Sequence, residues 1–278
     1  MNTEPEELYL ELLKRTVSFA LWPEPPLPVE TFNYQRSLAK RSVLSAISTL
    51  LKYLSQELQL VQRRRFTTEE RLEGRIWPGY AETMIGLKRL DNLHECIVKV
   101  LKEAIPGDLI ETGVWRGGAC IFMRGVLAAY KVNDRRVFVA DSFEGLPKPD
   151  AELYPADSGD KHHVHGFLAV AQQDVEQNFR KYGLLDDRVV FLKGWFKDTL
   201  PHAPIEKLSI LRLDGDMYGS TMDALDSLYP KLQRGGFCII DDYFLPGCRQ
   251  AVDDYRTKFG IHDEPKTIDR NSCFWRKD

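Results

Sequence analysis

An α/β fold built around a mostly parallel sheet is predicted by three features of this 278-residue sequence. After Pro106–Gly107, short apolar runs (DLIETG, RVFVADS, RVVFLKG, LSILRLDGD, GFCIIDD) alternate with helical stretches, the rhythm of βαβ units. The runs are nearly continuous in Val, Ile, Leu and Phe, as suits strands covered on both faces. Each ends in an acid or a glycine, and in open α/β sheets ligands bind at the carboxyl ends of the strands, near the switch point of the topology. Those ends carry Glu111, Asp141, Asp214, Asp216, Asp241 and Asp242.

Composition narrows the class. Hydrophobic residues are 43% and charged residues 28%, enough apolar material for a core, which excludes disordered and collagen-like chains. Lys plus Arg number 38 against 41 for Asp plus Glu, a net charge of −3. That argues against a protein that coats nucleic acid or an anionic membrane. No apolar stretch approaches about 18 residues, so no transmembrane helix is expected. The acidic opening MNTEPEELYLELLKR does not read as a signal peptide. Five widely spaced cysteines with no C-x-x-C suggest free thiols in a reducing cytoplasm rather than disulfides or a zinc site.

The elements follow in order. Glu6 to Ala20 has the apolar spacing of an amphipathic helix. WPEPPLP at 22–28 is a stiff linker, because prolines lack donors and disfavour α geometry before them. Residues 35–62 read as one long helix ended by Arg63, Arg64 and Arg65, which either solvate its end or meet an anionic ligand. Thr67 with Glu70 three residues later forms a capping-box pattern, and Asp91 to Ala104 is helical. Beyond residue 107 the helices between strands are expected over 117–131, 167–183, 220–233 and 247–259. This suggests a helical cover, 1–106, and a catalytic α/β domain, 107–278. The apolar faces of helices 6–20 and 35–62 have little sheet to cover, so a homo-oligomer, with a dimer as its simplest form, is expected.

Four constellations could carry chemistry. In LIETGVWRGGACIFMRG (109–125) a strand and an acid precede a glycine-bearing turn and a helix. Its G-x-x-x-G-G spacing departs from the dinucleotide fingerprint, which disfavours a nicotinamide oxidoreductase. Glu111 before Gly113 suits a ligand bearing a cation, such as the amino-acid part of S-adenosylmethionine; a structural turn is the alternative. Asp141 in RVFVADSFEGLP could accept from ribose hydroxyls or cap the loop that follows. Asp214 and Asp216 end one strand, Asp241 and Asp242 the next. Carboxylates so close repel unless a cation balances them, and hard oxygen donors select Mg²⁺, Ca²⁺ or Mn²⁺. Asp214, Asp241 and Asp242 therefore read as a divalent-metal site, with helix capping as the alternative. Asp216 then serves as general base or as a support for the ligands. The segment containing KHHVHG, with His162, His163 and His165, reads as an acceptor-site lid, a plain surface loop or a histidine metal site.

On these residues the chain resembles the macrocin O-methyltransferase family, the Mg²⁺- and S-adenosylmethionine-dependent enzymes that methylate sugar hydroxyls of antibiotics. The resemblance runs from about residue 66 to the C-terminus. It is carried by WPGYAETMIGLKRLDNL (77–93), IETGVWRGGACIFMRG (110–125), VADSFEGLP (139–147), GWFKDTLP (194–201), LRLDGDMYGST (211–221) and IIDDY (239–243). It implies a class I methyltransferase, a Rossmann-like seven-stranded sheet whose final antiparallel strand lies within 271–277. It implies that Glu111, Gly113, Asp141 and Ser142 line the cofactor pocket, that Thr83 and Met84 close over it, and that Trp195 lies near the adenine. It implies Asp214, Asp241 and Asp242 as Mg²⁺ ligands, Asp216 as base, and a glycoside as the small-molecule acceptor. A catechol-type enzyme on a small phenolic diol and a non-catalytic binding protein on the same fold are the competing readings.

Overall fold

The computed structural model describes residues 4–31, 36–63 and 65–278. The first helix, α1, spans Pro5–Val17. The linker then contributes a two-residue strand, β1 (Leu27–Pro28), and α2 covers Leu38–Leu54. The helix expected to run to residue 62 stops here. Ser55 turns extended, and its hydroxyl accepts the N–H of Glu57 at 3.2 Å. The chain then returns as β2 (Val61–Gln62), antiparallel to β1. The proline-rich linker is extended anyway, so it offers an edge that residues 60–62 can use. Gln35, at the expected start of that helix, and Arg64 lie outside the described residues; Arg63 and Arg65 are exposed.

The capping box forms as read: Thr67 and Glu70 satisfy each other's backbone N–H ahead of α3 (Thr68–Leu72). Helix α4 (Leu87–Lys102) starts four residues before the sequence suggests. The sheet proper then begins with β3 (Asp108–Thr112), followed by α5 (Gly118–Ala129) and β4 (Val137–Asp141). The expected helix over 167–183 shortens to α6 (Gln172–Lys181), because a single 3-10 turn at Gly166–Leu168 belongs to the preceding segment. Next come β5 (Val189–Lys193), α7 (Phe196–Thr199), β6 (Leu208–Leu213) and α8 (Tyr218–Leu228). Helix α8 ends early, in a 3-10 turn at Tyr229–Lys231 that holds Pro230. Strand β7 (Leu232–Ile240), α9 (Pro246–Lys258), β8 (Lys266–Thr267) and β9 (Cys273–Arg276) complete the chain.

The sheet has seven strands in the order β5-β4-β3-β6-β7-β9-β8. Strands β3 to β7 run parallel, and β9 pairs antiparallel with β7, so the expected final strand is present. The chain winds outward from β3 on one side and from β6 on the other. Their carboxyl ends therefore form the switch-point crevice.

Alternate residues of each strand face opposite layers. Leu109, Val137, Val139 and Ile210 pack against α1, α4, α5 and α6. Ile110, Phe138, Leu211 and Cys238 pack against α8 and α9. Leu10, Leu13 and Val17 of α1 lie fully inside the first core beside α5. Burying each contributes about 1.5–3 kcal/mol. The side of α1 that carries Leu10, Leu13 and Val17 is thus covered by its own chain, while Leu8 and Leu12 stay exposed. Gly125 makes this possible, since a Cβ there would fall 2.3 Å from Leu13. Helix α2 differs: Val43, Ile47 and Leu50 are exposed. All five cysteines are free and buried. Among the described residues no helix is long and apolar enough to cross a membrane.

Candidate active site

A cavity of about 300 Å³ opens at the carboxyl ends of β3, β4 and β6. Of the residues singled out from sequence, Met84, Gly113, Asp141, Ser142, Trp195, Asp214 and Asp216 line it.

Gly113 follows β3 with φ +82°, and a Cβ there would sit 1.7 Å from the carbonyl oxygen of Asp214. Glycine is required for this contact, which lets the ends of β3 and β6 touch. Asp141 caps the turns around it and lies at the cavity edge. Its carboxylate accepts the N–H groups of Val114 (2.8 Å) and Phe143 (2.7 Å), fastening the two turns. Burial raises its pKa, and the backbone hydrogen bonds oppose that rise.

Two expected cofactor residues lie elsewhere. Glu111 is buried in the sheet, ion-paired with Arg212 and accepting the Cys120 thiol at 2.9 Å. Burial is the main cause that raises its pKa to about 7. Its carboxylate does not border the cavity but turns to the buried guanidinium of Arg212. Thr83 is buried behind Met84, where its N–H reaches the carbonyl of Val17 at 3.2 Å. The 82–84 segment crosses the start of α5, with Gly118 N–H donating to the Glu82 carbonyl at 2.9 Å.

The four acids gather as the spacing suggests. Asp214, Asp241 and Asp242 each offer an oxygen, all within 4.8 Å of one another. Asp214 and Asp216 both face the cavity, although only the strand before them is extended. Strand β6 ends at Leu213, and Asp216 adopts a left-handed φ of 57°. A non-glycine residue held there stores strain, a feature that clusters at functional sites. Its N–H points at Asp242 Oδ2, 3.3 Å away. Burial, then the nearby Asp214 charge, raises the Asp216 pKa to about 7. Burial and neighbouring carboxylates raise Asp242 well above the usual range, and Asp214 also rises.

Sequence reading missed two arginines. Arg212, fully buried in β6, holds Glu111, Asp241 and Asp214, the last at 3.0 Å. Arg89 of α4 reaches Asp241 at 2.6 Å and Asp269 at 2.7 Å. The signal for Arg212 was an arginine in the otherwise apolar LSILRLD run, since a buried charge needs a partner. Asp241 therefore has each oxygen on a guanidinium, whereas Asp242 lies beside Asp216 and Asp214, whose charges add to burial in raising its pKa. Carboxylates crowded so that their charges oppose one another suit a hard divalent cation.

Residues 143–171 form one wall of the cavity through Gly145, Leu146, Pro147, Leu153, Tyr154 and Asp157. The histidines lie on this wall and form no metal-ligand group among the described residues. His162 Nδ1 lies 2.6 Å from Asp160, and the rings of His165 and Trp77 meet edge-on. Trp115 Nε1 donates to the Phe167 carbonyl at 3.0 Å.

The chain is similar to known proteins along nearly its whole length. A sequence model of the macrocin O-methyltransferase (TylF) family matches residues 6–277, so the likeness reaches the N-terminal helix as well as the region after residue 66. The chain is 47% identical to mycinamicin III 3''-O-methyltransferase of Micromonospora griseorubida over 274 residues, covering 98% of this chain and 96% of that protein. It is 54% identical to demethyldecarbamoylnovobiocin O-methyltransferase of Streptomyces niveus over 217 residues, 76% of this chain and 82% of that one. The solved structure of the O-methyltransferase NovP superposes with a TM-score of 0.83 at 44% identity, covering 98% of this chain and 99% of NovP.

Proposed function

The chain belongs to the macrocin O-methyltransferase family, and from that membership we propose that it transfers a methyl group from S-adenosylmethionine to a sugar hydroxyl of a glycosylated natural product. The observation that carries this reading is that Asp214 and Asp216 border a cavity at the switch point of the sheet, with Asp241 and Asp242 buried beside Asp214.

In this reading Asp141 accepts from the ribose hydroxyls of the donor, while Met84, Gly113, Ser142 and Trp195 wall it in. Thr83 acts from behind Met84, and Glu111 acts through Arg212. Asp214, Asp241 and Asp242 hold Mg²⁺, with Arg89 and Arg212 fixing the orientation of Asp241. The cation, when bound, supplies the charge that makes a nearby acceptor hydroxyl more acidic. Asp216 accepts the hydroxyl proton, the acceptor oxygen gains the methyl, and S-adenosylhomocysteine leaves. A half-buried carboxylate at the cavity edge, with its pKa raised towards neutrality, suits that role. Most of the acceleration then comes from alignment and fixed charges.

The test is turnover of a panel of deoxysugar glycosides with S-adenosylmethionine, with Mg²⁺ and with chelator. Methylation of a glycoside that chelator removes and Mg²⁺ restores is expected. Chelator-insensitive turnover would overturn the metal assignment, and methylation of small catechols alone would overturn the sugar acceptor. We also infer a homo-oligomer, supported by the exposed apolar residues of α2. A monomeric mass by light scattering would refute it.

A further inference from the structure

The wall formed by residues 143–171 is almost without regular structure, offering only isolated 3-10 turns at Pro155–Asp157, His162–Val164 and Gly166–Leu168. Among the described residues, the hydrogen bonds of Leu146 to Val164 run within the segment except at one residue. Asp157, only 4% exposed, accepts the N–H of Tyr218 at 2.6 Å and of Gly219 at 3.1 Å. These are free amides of the first turn of α8, where a carboxylate is favoured by both hydrogen bonding and the helix dipole. They lie two and three residues beyond Asp216.

The surroundings are shaped for this contact. A Cβ at Gly219 would fall 2.7 Å from the Tyr154 ring, and a Cβ at Gly247, on α9, 2.8 Å from Asp157 Oδ1. Both helices thus present a glycine where the wall docks. The downstream end of the wall is held separately by Trp115 at the Phe167 carbonyl.

We propose that Asp157 is a positioning residue that latches this wall onto α8 and so sets how tightly the cavity closes around the methyl donor. The inference rests on the reading of the cavity as the donor site. Asp157 carries the hydrogen-bonded attachment of residues 146–164 to α8, beside the packing of Tyr154 on Tyr218 and Gly219, so releasing two amides loosens that part of the wall while the sheet stays intact. Charge-assisted bonds of this kind are stronger than neutral ones, and both must break together.

The test uses the full chain. Amide hydrogen exchange is followed across 146–164 and across β3–β6, with and without S-adenosylhomocysteine, whose affinity is measured by calorimetry. In Asp157→Ala, exchange in the wall and the dissociation constant should each rise about tenfold or more, with strand exchange unchanged. KM for the donor should rise more than kcat falls. Asp157→Asn, keeping one acceptor oxygen, should fall between. Should Asp157→Ala not fold, Gly247→Ala, which crowds the same carboxylate from the other side, should loosen the wall without touching the acid. Wall exchange and product affinity within twofold of wild type overturns the latch, as does exchange that rises equally in the sheet. If the wild type binds S-adenosylhomocysteine but methylates nothing, the functional reading fails while the exchange contrast still decides the latch.

Discussion

The backbone N–H of Asp216 lies 3.3 Å from Oδ2 of Asp242, so the turn that presents the proposed base is fastened to a proposed metal ligand on the neighbouring strand. Base and metal site therefore share one scaffold, held from below by Arg212.

Asp216→Asn keeps the shape of the turn and removes the proton acceptor. Turnover should fall by about 10²- to 10⁴-fold, while calorimetric affinities for S-adenosylhomocysteine and Mg²⁺ stay close to wild type. Retained turnover rules Asp216 out as the base.

Asp242→Asn relieves repulsion among buried carboxylates, which raise one another's pKa. The metal-free variant should melt at the same temperature as wild type or higher. The stabilisation that Mg²⁺ confers on wild type by binding only the folded state should disappear. A melting temperature that still climbs with Mg²⁺ removes Asp242 from the ligand set.

Gly113→Ala puts a methyl group 1.7 Å from the Asp214 carbonyl in a left-handed conformation. Destabilisation well above about 1 kcal/mol is expected, together with weakened Mg²⁺ binding as Asp214 shifts. Denaturant unfolding and metal titration read the two effects, and a change within about 0.5 kcal/mol contradicts the close approach.

Leu10→Ala tests whether the first helix belongs to the core. Leu10 is fully buried beside α5, so the variant should lose about 2–5 kcal/mol. A loss near zero would mean that α1 is an appendage.

Asp269 titrates below the ordinary carboxylate range. Burial pushes it up, but the charge and hydrogen bond of Arg89, the Asn271 N–H and the Ser272 hydroxyl outweigh that. Because the folded value is depressed, its contribution is present above the ordinary value near 3.8 and is lost as pH falls through the lower folded value. Melting temperature followed from pH 6 downwards should drop steeply only below about pH 4. Asp269→Asn should start lower and fall less over that range, and a parallel shift of the whole curve would contradict the pairing.

What could be read from sequence was what depends on local pattern. Continuous apolar runs ending in acids announce buried parallel strands and place Asp141, Asp214, Asp216, Asp241 and Asp242 at their carboxyl ends. The Thr67–Glu70 box is likewise local, because both partners lie within one turn. Where reading failed, the deciding contact was distant in sequence. The 35–62 stretch has helical periodicity to its end, yet pairing with residues 27–29 takes its last residues. The face of α1 finds α5, more than a hundred residues on. Glu111 carries the right chemistry for a cationic ligand, but Arg212, also about a hundred residues away, reaches it first. Sequence by itself determined the alternation of strands and helices and the chemistry at the strand ends. Only the tertiary structure decided which acids face the cavity, which are neutralised by arginine, and that Asp157 ties the wall to α8. Periodicity is set by backbone geometry within a few residues, whereas the partner of a buried charge is whichever opposite charge the fold brings within hydrogen-bond reach.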